Sequence, residues 1–211
     1  MDVFAKELTS IPRRRINIGF IGAIHPNKGI FELLEAVKIC REHQLDVGLV
    51  IAGDGNSGKK TFLDKFLKVI GISQDRNAEL YGFIHSNQLS DYIHTLGFST
   101  NTCSFFKYID IICFPSYYNA LGRPVFEAAF FRKPGIVAIK NPFPDTFIEG
   151  KTGLIVEEKN PTSIFNAIRT FYVQSELIGK MGDEAYQLAT KNFDIEKNAK
   201  KLLDIYIKLL Q

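Results

Sequence analysis

Apolar residues along the chain gather in six short, nearly unbroken runs, separated by stretches that are polar or periodic. The runs are INIGFI (16–21), VGLVIA (47–52), ELYGF (79–83), YIDIICF (108–114), GIVAI (135–139) and GLIV (153–156). Runs that are apolar throughout, rather than alternating, predict strands buried on both faces, as in a parallel sheet covered by helices. Helical periodicity fills the intervals. Ile30, Leu33, Leu34 and Val37 fall at i, i+3, i+4 and i+7, a single stripe. Lys59 to Ile70 repeats the habit with Phe62, Phe66 and Val69. Asn160 followed by Pro161 reads as an N-cap and first helical position, and the tail from Ile195 to Leu210 is amphipathic.

Strand and helix in alternation predict an α/β fold, a doubly wound six-stranded parallel sheet with right-handed crossovers. Residues 16–211 read as one Rossmann-like domain ending in C-terminal helices. The opening MDVFAKELTSIPRRR (1–15) has no clear periodicity and reads as a linker, or the end of an interdomain segment of a longer protein. The stretch 86–107 is long for one connection, and Gly97 to Cys103 within it reads as a loop insertion.

The strand order common to such sheets, 3-2-1-4-5-6, makes strands one and four neighbours and opens a crevice beyond their carboxyl ends. GAIHPNKG (22–29) follows strand one and PSYYNALGRP (115–124) follows strand four, so both face that crevice. Each contains glycine and leads into a helix N-terminus, where free N–H groups and the helix dipole favour anions. Two such loops suit a diphosphate better than a single phosphate. Lys28 and Arg123 stand at the two helix starts, where a cation is unfavourable by about 0.3–1 kcal/mol unless an anion is nearby. The alternative is a solvated lysine, and an arginine paired with a carboxylate such as Asp145. Glu127 lies one turn into the second helix among Val125, Phe126, Ala128, Ala129 and Phe130. A carboxylate in apolar company needs donors; the two hydroxyls of a ribose fit, and so do backbone N–H groups or a lysine.

Composition narrows the field. The chain has 211 residues, 45% of them hydrophobic, enough for a proper core, and a net charge of +3 gives no electrostatic case for a nucleic-acid partner. Arg13, Arg14 and Arg15 precede the first strand and read as a solvated linker rather than a membrane patch. Cys40, Cys103 and Cys113 fit neither a disulfide framework nor a zinc site, which points to reduced thiols in a cytoplasmic protein. No apolar run is long enough to span a bilayer. No Asp-x-Asp pair is present, so no metal and no separate cofactor is inferred, and neither a Ser-His-Asp set nor a hydrolase-type carboxylate pair is legible. His25 in the first loop could donate to a phosphate or simply be exposed. His43, His85 and His94 carry no pattern, and Tyr117 and Tyr118 are best read as packing.

FIGAIHPNKGIFELLEA, LVIAGDG, ELYGFI, DIICFPS and FIEGKTGLIVEEKNP, in this order, resemble the landmarks of the C-terminal, donor-binding half of family-four retaining glycosyltransferases of the GT-B fold. The resemblance runs from about residue 16 over nearly the whole chain. It implies a nucleotide-sugar donor bound by Gly22, Lys28, Ile84, Gly122, Arg123 and Glu127. Lys28 would meet the diphosphate, Ile84 would lie beside the base, Glu127 would hold the ribose, and N–H groups near Gly122 and Arg123 would cap the phosphates. Lys28 and Asn119 would serve catalysis. It also implies an acceptor-binding N-terminal half absent from these residues, and leaves open peripheral association of the full protein with the inner face of a membrane. Two positions depart from the family. Asn119 stands where a glutamate addresses the hydroxyls of the transferred sugar, and Ala23 stands where an arginine is usual; Arg123 is the expected replacement cation. A non-catalytic module that binds a nucleotide-sugar or polyphosphate is the alternative, and a generic phosphate-binding domain a third.

Overall fold

The structure, a computed structural model, describes residues 3–55, 75–98 and 101–210. Six parallel strands, β1 Ile16–Ile21, β2 Val47–Ala52, β3 Ile93–Thr95, β4 Ile111–Phe114, β5 Gly135–Val137 and β6 Gly153–Ile155, form one sheet in the order β3-β2-β1-β4-β5-β6. Every strand pairing is parallel, from Ile16 beside Val47 to Val137 beside Ile155. The helices are α1 Val3–Leu8, α2 Ile30–Glu42, α3 Arg76–Ser86, α4 Cys103–Tyr108, α5 Arg123–Phe130, α6 Pro161–Val173, α7 Glu176–Asn192 and α8 Ile195–Leu209. β1, β2 and β4 are buried almost throughout because helices cover both faces of the sheet, which is why their sequences are continuously apolar. Ile18, Phe20, Leu49, Ile51, Ile111 and Cys113 belong to one core with Leu33, Leu34 and Val37 of α2 and Ile168 and Phe171 of α6. Ile112 and Val50 face a second cluster, with Phe105 and Phe106 of α4.

The third strand is not where the apolar run suggests. ELYGF lies inside α3, and β3 is the short segment Ile93–Thr95. The cause is local. Asp75 caps α3, its carboxylate accepting the N–H groups of Asn77 and Ala78 at 3.1 and 3.2 Å. Leu80 and Ile84, one turn apart, supply the buried stripe while Tyr81 is exposed. Strand β4 is shorter than its apolar run, since Tyr108 ends α4. Leu96 to Phe98, after β3, and Asn101 and Thr102, before Cys103 opens α4, belong to neither strand nor helix, in keeping with a loop at this point. The helix expected over 59–70 lies outside the described residues.

The first fifteen residues are more than a connector. Phe4 and Leu8, at i and i+4 of α1, are buried against Phe105 and its neighbours. Burial of this kind stabilises by about 1.5–3 kcal/mol per side chain. Nor are the three arginines a solvated linker. Arg13 lies over the Tyr108 ring at 5.0 Å and pairs with Asp110 at 2.9 Å. Arg14 lies over Tyr92 at 4.5 Å and pairs with Asp46 at 3.3 Å. Arg15 lies over Tyr172 at 4.3 Å and donates to its carbonyl at 3.0 Å. Their partners sit just before β2, β3 and β4, or at the end of α6, so the three guanidinium groups stitch the amino edge of the sheet. Buried Asn17 completes the seam, donating from its N–H and its Nδ2 to Asp110 Oδ2 at 2.8 and 2.9 Å.

α8 is amphipathic as the periodicity requires, yet none of its residues is buried: Ile195, Leu202, Tyr206 and Leu209 are all exposed.

Candidate functional site

At the carboxyl edge of the sheet, where the strand order reverses between β1 and β4, lies a cleft of about 750 Å³. The chain after β1 enters it with Gly22, Ala23 and Lys28, the chain after β2 with Gly53 and Asp54, and the chain after β3 with Phe98. Gly122, Arg123, Pro124 and Glu127 close the other side. Its size is that of a site for a small ligand.

The two main loops are held together by their own backbone. After β1 a single 3-10 turn, Pro26–Lys28, is capped by His25, whose Nδ1 accepts the Asn27 N–H at 3.2 Å. His25 is therefore engaged in the turn. Gly29 ends the turn at φ +71°, and a Cβ there would lie 2.1 Å from the Pro115 carbonyl oxygen, so only glycine lets the loops approach this closely. Across the contact, the Asn27 carbonyl accepts from the Tyr117 N–H at 3.0 Å and from Ser116 Oγ at 3.2 Å. Asn27 Nδ2 donates to the Tyr118 hydroxyl at 3.1 Å. Tyr117 thus packs against the loop, as expected, whereas Tyr118 is exposed and meets the loop through its hydroxyl. Burial, followed by a hydrogen bond with Glu32, pushes the Tyr117 phenol well above its ordinary range and keeps it neutral.

The charged groups are arranged around this joint. Lys28 Nζ lies 5.5 Å from the Phe114 ring centre and 5.0 Å from that of Tyr118, an ammonium resting between two aromatic faces. Gly122 is the N-cap of α5 and no side chain caps that helix; Pro124 has no N–H and Val125 donates to the Gly122 carbonyl at 3.0 Å, which leaves the Arg123 N–H at the helix start for a ligand or solvent. A Cβ on Gly122 would lie 2.3 Å from the Phe114 ring, which fixes glycine at this point of the lining. Arg123 Nε pairs with Glu127 Oε1 at 2.9 Å, the arginine side chain 87% exposed and the glutamate 36%. Glu127 is less enclosed than its apolar neighbours suggest, because α5 turns this side toward the cleft while Val125 and Ala128 face the core. Asp145, the alternative partner for Arg123, is not the carboxylate it meets.

Gly22, Lys28, Gly122, Arg123 and Glu127 therefore share one cleft, with Ala23 beside them. Ile84 does not join them. It is 4% exposed and packed in the main core, because the segment carrying it is a helix rather than a strand leading to the carboxyl edge. Nor is Asn119 among the residues lining the cleft; it lies in the loop after β4, and its Oδ1 accepts the Lys140 N–H at 2.6 Å. Phe98, 77% exposed, and Thr102 line the cleft and were not singled out by sequence reasoning. The signal for Phe98 was its place just past a strand, hidden by the misplacement of β3. Asp54 stood in plain view in the GDG that follows β2. Among the described residues, no group of three or more His, Cys, Asp or Glu residues is placed to hold a metal ion.

The sequence matches the family described as glycosyl transferases group 1 over residues 5–188. It is 25% identical over 200 residues to the D-inositol 3-phosphate glycosyltransferase of Corynebacterium glutamicum (strain R), covering 93% of this chain and 44% of that protein. It is 24% identical over 194 residues to the capsular polysaccharide biosynthesis glycosyltransferase CapM of Staphylococcus aureus, covering 92% of this chain and 46% of that one. Among solved structures, Anabaena HepE in complex with UDP-glucose superposes with a TM-score of 0.79 at 19% identity, over 98% of this chain and 52% of that one. The C-terminal domain of the glycosyl transferase group 1 family protein LpcC from Francisella tularensis gives 0.69 at 23% identity, over 92% and 94% of the two chains. The chain spans about half the length of the curated relatives it matches. With the match running over most of the sequence and the doubly wound fold shared with glycosyltransferases, this chain belongs to the glycosyl transferases group 1 family.

Proposed function

We propose that the chain is the donor-binding half of a retaining glycosyltransferase, holding a nucleoside-diphosphate sugar for transfer to an acceptor bound by a further N-terminal half. The observation that carries this reading is the meeting of Lys28, Arg123, Glu127 and the uncapped start of α5 in one cleft at the strand-order reversal. In this reading the base lies over Phe98 and the ribose hydroxyls donate to Glu127. The diphosphate rests between Lys28 and the N–H groups at Gly122 and Arg123. As the bond from the anomeric carbon to the diphosphate breaks, negative charge grows on the leaving group. Preorganised N–H groups and cations at that point stabilise it. Arg123 takes the place of the cation that Ala23 lacks, swinging from Glu127 to the phosphates. Lys28 and Arg123 supply the counter-charge, without a divalent metal. Anabaena HepE, solved with UDP-glucose, supports a nucleotide sugar as the ligand class and makes UDP the first one to test. Reduced thiols favour a cytoplasmic setting; no helix among the described residues is long and apolar enough to cross a membrane.

The test is calorimetric titration of the chain with UDP, GDP and ADP, repeated on Glu127→Ala. One diphosphate binds, and the substitution weakens it by about 10- to 150-fold, the loss of a hydrogen-bonded charge worth about 1.5–3 kcal/mol. Equal and undetectable binding of all three sinks the reading. A second reading, a module that binds without transfer, is favoured by the engagement of Asn119 Oδ1 with main chain. It predicts the same titration but no release of UDP from UDP-glucose when the remaining half is supplied.

A further inference from the structure

Asn119 stands where three loops meet. Its backbone is left-handed, φ +46°, a conformation that asparagine enters at less cost than most side chains. Its Oδ1 accepts the Lys140 N–H at 2.6 Å, across 21 residues of chain. The loop after β4 is thereby tied to the loop after β5, while Ser116 and Tyr117 already tie it to Asn27 after β1. β1, β4 and β5 are neighbours in the sheet, so their three loops make one continuous rim. Lys140 is followed by Asn141, also left-handed at φ +51°. A turn of this kind persists where its surroundings hold it, and the Asn119 bond is such a hold. Phe98 enters the cleft from β3, at the opposite end of the strand order from β5. In the donor-cleft reading, a nucleotide sugar with its base over Phe98 and its diphosphate at Lys28 runs along this edge toward the loops after β4 and β5, which carry Asn119 and Lys140.

The geometry points to Asn119 as a positioning residue that shapes the sugar end of the cleft by holding the Lys140 main chain, not by accepting hydrogen bonds from the sugar. This rests on the donor-cleft reading above. A carboxylate offers two oxygens to sugar hydroxyls, whereas Asn119 has one, and one of its two lone pairs is already engaged by the Lys140 N–H. Aspartate has the same length and keeps an oxygen for the Lys140 N–H. Glycine keeps the left-handed backbone and removes the acceptor, so neither substitution strains the turn.

Hydrogen exchange by NMR, on the chain and on Asn119→Gly and Asn119→Asp, reads the bond directly. The Lys140 amide exchanges tenfold or more faster in Asn119→Gly and at the original rate in Asn119→Asp. Titration with UDP and with UDP-glucose reads its consequence. Asn119→Gly lowers the ratio of UDP-glucose affinity to UDP affinity threefold or more, and Asn119→Asp restores it. An unchanged Lys140 rate in Asn119→Gly overturns the proposal. So does an Asn119→Asp chain that keeps the protection yet loses the UDP-glucose ratio, since that places the amide Nδ2 on the sugar. If the unaltered chain binds neither ligand, the donor-cleft reading falls and the positioning role with it, while the exchange rates still report on the bond itself.

Discussion

Replacing Arg123 with alanine separates a helix contact from a ligand contact. The guanidinium pairs with Glu127 at 2.9 Å, one turn along α5, and its side chain is 87% exposed. Exposed pairs at this spacing contribute about 0.3–0.5 kcal/mol. Losing the pair therefore moves the thermal midpoint of a chain this size by about 1–2 °C. A charge-assisted hydrogen bond to a phosphate oxygen contributes about 1.5–3 kcal/mol. After the internal pair is opened, about 1–2.5 kcal/mol remains, or about 5- to 60-fold in UDP affinity. Calorimetry on both chains measures this, with the difference shrinking at high salt because the group is so exposed. Affinity unchanged within about twofold refutes Arg123 as the surrogate cation. Tighter binding would mean that the arginine competes with the ligand for Glu127.

Other substitutions test the frame around the cleft. Gly29→Ala places a Cβ 2.1 Å from the Pro115 oxygen at φ +71°. It destabilises by about 2–4 kcal/mol in urea unfolding and weakens UDP binding by parting the loops. Gly82→Ala, on an open face of α3 with nothing within 4 Å, stabilises by about 0.5–1 kcal/mol, and a loss there would contradict the helical assignment of ELYGF. Ellman's reagent at neutral pH labels Cys103 alone in the folded chain and all three thiols after unfolding, since Cys40 and Cys113 are buried. Burial pushes the Cys40 thiol from its ordinary 9.0 up to about 12, so the folded chain keeps a proton that the unfolded chain releases. Stability consequently falls as pH rises from about 9 toward 12. Cys113, also pushed up by burial, adds to the fall. Urea midpoints that stay flat across that range would refute the account.

Central strands were readable because burial on both faces leaves an unbroken apolar signature, as in INIGFI and VGLVIA. β3 was not, because it is a three-residue edge strand carrying His94 and Thr95, while α3 happens to hold a denser apolar run. That single error displaced the expectation for Ile84 and concealed Phe98. Strand order survived it, since both segments lie between β2 and β4. The loops after β1 and β4 could be placed in one crevice from topology alone. Arg123 and Glu127 were at the i,i+4 spacing of a helical ion pair, whereas the contact of Asn119 with Lys140 depends on loop paths that no local pattern encodes.

Arg13, Arg14 and Arg15 fasten one margin of the sheet, whereas the cleft opens at the other. Reserves of stability and the apparatus of recognition are thus spatially decoupled. Residues such as Ala23 and Asn119 can drift from the family habit without touching the fastening. Grafting foreign sequences into 22–29 or 115–124 would retune ligand preference on an undisturbed chassis, provided Gly29 and Gly122 stay in place.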